Sequence, residues 1–134
     1  MPSRVLLVES ERIVREATAG FLSDRGFEAI EACDGDEAIK LLDGPDNFHV
    51  VFTAVQMPGK HDGVEVALHA RRRNPAMLVL VASGYGASPM ALLGKLSPPV
   101  ILVCKPYTVD DVLGALMRGD AGRQRAGDLT PPSR

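Results

Sequence analysis

Residues 50–63 read VVFTAVQMPGKHDG, an apolar run that leads into a Met-Pro-Gly turn. Similar apolar runs occur as VLLV at 5–8, LVLVA at 78–82 and VILV at 100–103. Short β-branched runs of this kind are typical of strands buried on both faces, as in a parallel sheet covered by helices. A further run, FEAIEA at 27–32, alternates apolar and polar residues, which predicts an edge strand.

Amphipathic stretches with helix-cap signals separate these predicted strands. In the first stretch, Ile13, Ala17 and Phe21, together with Val14 and Leu22, form one apolar stripe at helical spacing, which predicts a helix packed against the core. Thr108 opens the last stretch with a capping-box pattern, which predicts a helix that ends near Met117. The repeated alternation of strand and helix predicts an α/β fold with a parallel sheet and right-handed crossovers.

Composition restricts the class of protein. The chain has 134 residues, enough for one domain, with 46% hydrophobic residues and a formal net charge of −2. That charge gives no electrostatic basis for direct nucleic-acid or membrane-surface binding, and no apolar run approaches the ~20 residues of a membrane span. Cys33 and Cys104 form no metal-type spacing with any histidine, which favours two reduced thiols in a cytoplasmic protein.

The composition changes after the last predicted helix. From Arg118 onward the chain is rich in Gly, Pro and Arg and has almost nothing apolar to bury. We therefore expect one domain over residues 1–117 and a disordered tail or linker over residues 118–134.

Three predicted strand ends meet at one edge of such a sheet. Glu9 and Ser10 follow the first strand, Ala54 ends the third, and Lys105 follows the fifth. This edge is where α/β sheets carry ligands and chemistry. The methyl group of Ala54 can neither bind a metal nor accept a transferred group, so the sequence predicts a pocket without a nucleophile at its centre.

The chain resembles the receiver domain of response regulators. The resemblance rests on motifs in the same order and spacing, which are VLLVESE (5–11), DGDEAIKLL (34–42), MPG-x-x-DG (57–63), ASGY (82–85) and KPY (105–107). It implies a flavodoxin-like (βα)5 three-layer sandwich with sheet order 2-1-3-4-5. It also implies a non-enzymatic signalling module of a two-component or phosphorelay system, in which a histidine kinase normally phosphorylates an aspartate with Mg²⁺.

The resemblance assigns the family's pocket to residues that are mostly altered here. The phosphoacceptor aspartate falls on Ala54, the acidic pair on Glu9 and Ser10, and the carbonyl that completes the Mg²⁺ site on Gln56. The family's lysine is present as Lys105. A lone carboxylate with no phosphate to share the ion should hold Mg²⁺ weakly, so no cofactor is expected unless the pocket is functional. We hypothesise that the lysine pairs with Glu9 instead.

The family's conformational switch also falls on altered positions. Its hydroxyl residue matches Ala82 or, with a shift of one residue, Ser83, and its switch aromatic matches Leu102. These changes, together with Ser10, favour a chain that lost the whole apparatus over a single engineered replacement of aspartate at position 54.

Some of these residues also have simpler explanations, which the sequence leaves open. Ser10 is a suitable N-cap for the first helix, and the arginines at 71–73 suit the negative end of a helix dipole. Tyr107 either covers the core or presents an aromatic ring to a partner.

Two functions are compatible with the sequence. The first is a pseudo-receiver that signals by protein–protein contact without phosphorylation. Its partner would be a histidine kinase, a phosphotransfer protein, another regulator, or a second copy bound through the face of the predicted fourth helix (88–96), fifth strand and last helix. The alternative is a conventional Mg²⁺-dependent receiver, phosphorylated on aspartate and represented here by an engineered Ala54 variant.

Overall fold

The protein folds into one parallel sheet between two layers of helices. The structure, a computed structural model, describes residues 3–84 and 96–123, the last four as backbone only. The strands lie in the order β2-β1-β3-β4-β5. They are β1 (Arg4–Val8), β2 (Glu28–Ala32), β3 (Val50–Ala54), β4 (Leu78–Ser83) and β5 (Ile101–Cys104). The helices are α1 (Arg12–Asp24), α2 (Gly35–Asp43), α3 (Gly63–Arg73) and a C-terminal helix (Val109–Arg123). The predicted flavodoxin-like α/β sandwich and its strand order are therefore confirmed.

Successive residues of the central strand β3 enter opposite layers of the core. Phe52 packs with Leu22 of α1, in the layer that the C-terminal helix also covers. Val51 points to the other face and packs with Leu42 of α2 and Val66 of α3. Every residue of β3 is buried, which is why its sequence is continuously apolar apart from one threonine.

The buried side of α1 differs from the prediction. Ile13 is 84% exposed and Ala17 is also exposed, whereas Thr18 and Leu22 are buried. Apolar residues cover more than one side of this helix, so periodicity alone cannot choose which side meets the sheet. The predicted stripe is therefore right for Leu22, which is buried, and in part for Val14 and Phe21, which are partly buried. It is wrong for Ile13 and Ala17, which face solvent.

The C-terminal helix extends further than predicted. It begins with the predicted capping box, because the Asp111 N–H donates to Thr108 Oγ1 at 3.1 Å and the Thr108 N–H donates to the Asp111 carboxylate at 2.9 Å. It then continues to Arg123, so the predicted boundary at residues 117 and 118 lies inside a helix. Gly119, a poor helix former, is buried against Leu78 where a Cβ would overlap that side chain, and this packing outweighs propensity.

Two sequence predictions fall outside the described residues. They are the rest of the predicted tail, residues 124–134, and nearly all of the helix predicted at 88–96. Within the described ranges, no helix combines the length and apolar character needed to cross a membrane.

The arginines that close α3 do more than complement its dipole. Arg71 is buried at 7% exposure. Its Nε donates to the Met77 carbonyl oxygen at 2.7 Å, and its Nη1 donates to the Pro98 carbonyl oxygen at 2.5 Å. Arg71 therefore ties α3 to the start of β4 and to the segment that leads into β5.

Candidate functional site

The carboxyl edge of the sheet brings together the residues that the sequence analysis singled out. Val8 of β1 pairs with Thr53 of β3, so Glu9 and Ala54 are the next residues of two neighbouring strands. On the other side of β3, Ala54 pairs with Ala82 of β4. Alanine methyl groups thus stand at the end of β3 and one residue before the end of β4.

Glu9 is a buried carboxylate whose two oxygens are both engaged. Its side chain is 4% exposed. Oε1 accepts a hydrogen bond from Lys105 Nζ at 3.1 Å, and Oε2 accepts one from the Glu11 N–H at 3.0 Å. The Glu9 carbonyl oxygen also accepts from Arg15 Nη1 at 3.0 Å. Burying a charge is costly unless it is paired and hydrogen-bonded, and Glu9 meets both conditions.

Lys105 reaches Glu9 across the ends of two strands. β4 and β3 separate β5 from β1, which places the two strand ends roughly 14 Å apart at the usual strand spacing. The Lys105 N–H donates to the Ser83 carbonyl oxygen at 2.9 Å, which fixes the backbone from which the side chain starts. The ammonium therefore lies over the carboxyl edge in the region where β3 ends in Ala54, and the hypothesised ion pair is present.

The loop after Ala54 closes tightly on the end of β3. The Gly63 N–H donates to the Val55 carbonyl oxygen at 2.8 Å, and a Cβ on Gly63 would overlap the Ala54 carbonyl oxygen. Asp62 and Glu65 form a capping box that starts α3 at this point. Ala54 itself is 3% exposed. Ala54, which the sequence resemblance matches to the phosphoacceptor, thus places a buried methyl group at the end of β3, next to a well-formed loop.

The oxygen atoms available at this edge do not match the set of ligands with which receiver domains normally bind Mg²⁺. Mg²⁺ in proteins is normally bound by one or two carboxylates together with substrate phosphates and water. Glu9 supplies one carboxylate, and both of its oxygens already have donors. Ser10 supplies only a hydroxyl, and Gln56 is exposed. Over the part of the chain that the structure describes, no three His, Cys, Asp or Glu side chains cluster as a metal site. The function proposed below therefore does not rely on a bound metal ion.

The two candidate hydroxyl positions have different surroundings. Ala82 is buried in the same core layer as Phe52 and Val103. Ser83 is half-buried at the end of β4, and its Oγ donates to the Gly84 carbonyl oxygen at 3.3 Å. The hydroxyl available at this strand end is therefore that of Ser83. Leu102, which the sequence resemblance matches to the switch aromatic, is 39% exposed on β5.

Tyr107 covers the core instead of facing outward. Its ring packs against Phe52 with the ring centroids 5.3 Å apart, and its hydroxyl lies 3.0 Å from Thr18 Oγ1. Thr18 donates its own proton to the Val14 carbonyl oxygen at 2.8 Å, so Tyr107 is the donor to Thr18. Burial raises the pKa of Tyr107 above its ordinary value. Sequence reasoning missed Thr18, because a single threonine in α1 carries no signal until Tyr107 is placed beside it.

Ser10 does not cap the first helix. The N-cap residue of α1 is Glu11, and its side chain makes no capping hydrogen bond. The Glu11 N–H is satisfied by the Glu9 carboxylate instead. Glu9 thus serves two purposes, because it binds both the start of α1 and the Lys105 ammonium.

A cavity opens beside the ion pair, between α1 and the loop after β5. Its volume is about 350 Å³, and it is lined by Glu11, Val14, Lys105, Pro106 and Tyr107. Its walls are mainly the apolar side chains Val14, Pro106 and Tyr107, with one acidic and one basic residue among them. The lysine of the ion pair therefore also lines an accessible, largely apolar cavity.

Comparison with known proteins agrees with this arrangement. Residues 5–117 match the family model of the response regulator receiver domain. A Mycobacterium tuberculosis transcriptional regulatory protein, PdtaR, is 29% identical over 119 residues, which cover 87% of this chain and 56% of that protein. A Thermotoga maritima cyclic di-GMP phosphodiesterase is 37% identical over 81 residues, or 60% of this chain and 21% of that protein. The chain therefore spans less than two thirds of the length of either relative.

Solved structures show the same architecture. A response regulator receiver protein from Sinorhizobium medicae superposes with a TM-score of 0.83 at 27% identity, over 91% of this chain and 97% of that one. A CheY-like receiver domain from Methanospirillum hungatei has the same fold, with a TM-score of 0.85 at 18% identity over 95% of this chain and all of that one. With the motifs, the strand order and the family match in agreement, this chain belongs to the response regulator receiver domains, the signalling modules of two-component systems.

Proposed function

We propose that this receiver domain works without phosphorylation, as a pseudo-receiver that signals by protein–protein contact. The observation that carries the proposal is the Glu9–Lys105 ion pair at the carboxyl edge of the sheet, the edge at which β3 ends in Ala54. An acyl phosphate needs a carboxylate nucleophile, and the methyl group of Ala54 offers none. The lysine that would neutralise an incoming phosphoryl group is already paired.

Exposed apolar side chains support a role in protein contact. Leu102 of β5 is 39% exposed, and Val109 and Met117 of the C-terminal helix are 37% and 51% exposed. Ile13 of α1 is exposed as well. Apolar side chains that the fold leaves outside its core are available for a partner. The partner would be a histidine kinase, a phosphotransfer protein, another regulator or a second copy of the chain.

Intact-mass measurement tests the phosphorylation half of this proposal. The protein is incubated with acetyl phosphate and Mg²⁺, and we expect no added phosphoryl group. Ala54→Asp is treated in parallel. If that variant stays unmodified, the pocket has lost more than its acceptor, as we propose. Prompt modification of Ala54→Asp would favour the alternative, a conventional receiver disabled at one position, and a labile adduct on the original chain would overturn the proposal.

Partner capture tests the contact half. Met117→Asp places a charge on the exposed apolar side of the C-terminal helix, and Lys40→Asp changes the charge at an exposed position of α2. We expect a captured partner to be lost with the first variant and kept with the second. Capture that both variants retain would place the contact on another surface.

A further inference from the structure

We propose that Lys105 is the permanent counter-ion of this pocket, and that its ammonium makes the pocket independent of Mg²⁺. The inference rests on the proposed function, because it concerns the same emptied pocket. It goes further because it identifies the group that replaces the cation, and because it predicts that the domain does not respond to divalent ions.

The charge around Glu9 is already balanced. Its carboxylate is almost fully buried, so it needs a cation or strong hydrogen-bond donors nearby. The Lys105 ammonium supplies one positive charge, which neutralises this carboxylate. A divalent ion added beside this lysine would leave the pocket with excess positive charge, although the exposed Glu11 next to it would reduce that excess.

Mg²⁺ would compete for carboxylate oxygens that already accept hydrogen bonds. The ion requires near-octahedral oxygen ligands at about 2.0–2.1 Å and gives up its water reluctantly. To bind Glu9 it would have to share Oε1 with the Lys105 ammonium, which repels it, or Oε2 with the Glu11 N–H. With no aspartate at position 54 to supply a second carboxylate, that repulsion has little to offset it.

The backbone around Lys105 holds the lysine ready in position. Its own N–H is fixed to the Ser83 carbonyl oxygen. Two residues later, Tyr107 is fixed to α1 through the Thr18 hydroxyl and to the core through Phe52. The loop that carries Lys105 is thus anchored on both sides, so pairing with Glu9 orders the lysine side chain without any further ordering of the backbone.

Thermal unfolding with added MgCl2 tests the proposal, with NaCl of equal ionic strength as the reference. The original chain should keep the same Tm up to about 10 mM Mg²⁺, a concentration that would stabilise even a weak site. Lys105→Met leaves the Glu9 carboxylate without its counter-ion, so its Tm should fall by roughly 3–10 °C and should rise again with Mg²⁺. Lys40→Met removes a lysine of α2 that lies away from the pocket, and this variant should behave like the original chain.

A second variant keeps the test decisive if Lys105→Met does not fold. Glu9→Gln combined with Lys105→Met removes both charges and leaves no unpaired charge of this ion pair in the pocket. We expect this double variant to be more stable than Lys105→Met, and a double variant that is no more stable would overturn the proposal.

The effect of Mg²⁺ on the Tm of each protein can also contradict the inference. A saturable rise in the Tm of the original chain with Mg²⁺ would show that the lysine does not take the place of the ion. If Mg²⁺ does not change the Tm of Lys105→Met, the lysine is not what makes the pocket independent of the ion. Either result overturns this inference and leaves the proposed function standing, whereas a phosphoryl adduct on the original chain overturns the proposed function itself.

Discussion

The Glu9–Lys105 ion pair should show a strong energetic coupling in a double-mutant cycle. Two unit charges 3.1 Å apart interact by about 5 kcal/mol at an effective dielectric constant of 20. Lys105 is 28% exposed, so water screens part of this attraction, and the cost of burying both charges offsets more of it. We therefore expect a net coupling of about 1–3 kcal/mol, well above the ~0.5 kcal/mol scatter of independent sites.

The two single variants should differ in a way that the burial of each partner predicts. Lys105→Met should be the more destabilising, because it leaves a carboxylate that is 4% exposed without its cation. Glu9→Gln leaves an ammonium that is 28% exposed and can turn toward water. Urea denaturation of both single variants, the double variant and the original chain measures all the terms of the cycle.

An exposed ion pair elsewhere in the chain provides the control. Arg12 and Glu16 lie 3.3 Å apart on α1 with side chains 78% and 56% exposed. Their coupling should be about 0.5 kcal/mol or less and should vanish at high salt. If Glu9 and Lys105 couple no more strongly than this pair, or if Glu9→Gln is the more damaging change, the reasoning about the pocket is refuted.

Two further predictions concern the loop anchors near the pocket. Tyr107→Phe should cost about 1 kcal/mol in urea denaturation by removing the bond to Thr18. Burial raises the pKa of Tyr107, because it disfavours the charged phenolate. The stability that depends on a neutral phenol is therefore fully present below the unfolded-state pKa of 10.0 and is lost as pH rises through the folded-state pKa. Alkaline unfolding curves of the phenylalanine variant should lack this loss, and equal slopes for both proteins would contradict it. Gly63→Ala should destabilise the fold, since its Cβ would overlap the Ala54 carbonyl oxygen, whereas Gly20→Ala, with open space around it, should stabilise α1 by up to about 1 kcal/mol. Equal midpoints of denaturation for the two glycine variants would refute the argument from packing.

Local signals explain why most of the elements could be predicted from the sequence. The apolar run at 78–82 became β4, which is one residue longer. Helix α3 spans Gly63–Arg73, because Asp62 caps its start and Asn74-Pro75 follows its end. Such caps and runs act over a few neighbouring residues, so a sequence pattern can report them.

Features that depend on packing against distant residues were missed. The exposed side of α1, with Ile13 outward, depends on how the helix meets the sheet. The C-terminal helix runs through Gly119 because Leu78, far away in sequence, packs on that glycine. Helix propensity and hydrophobic periodicity take no account of contacts with residues that are distant in sequence.

The sequence by itself determined the receiver architecture and the absence of a nucleophile at position 54, because apolar runs, turns and residue identity are local properties. Only the tertiary structure decided that Lys105 pairs with Glu9, 96 residues away, and that Tyr107 bonds to Thr18, 89 residues away. It also separated the half-buried hydroxyl of Ser83 from the buried methyl group of Ala82. Contacts of this range depend on strand order and on how far each side chain reaches across the sheet, and both are set only when the chain has folded.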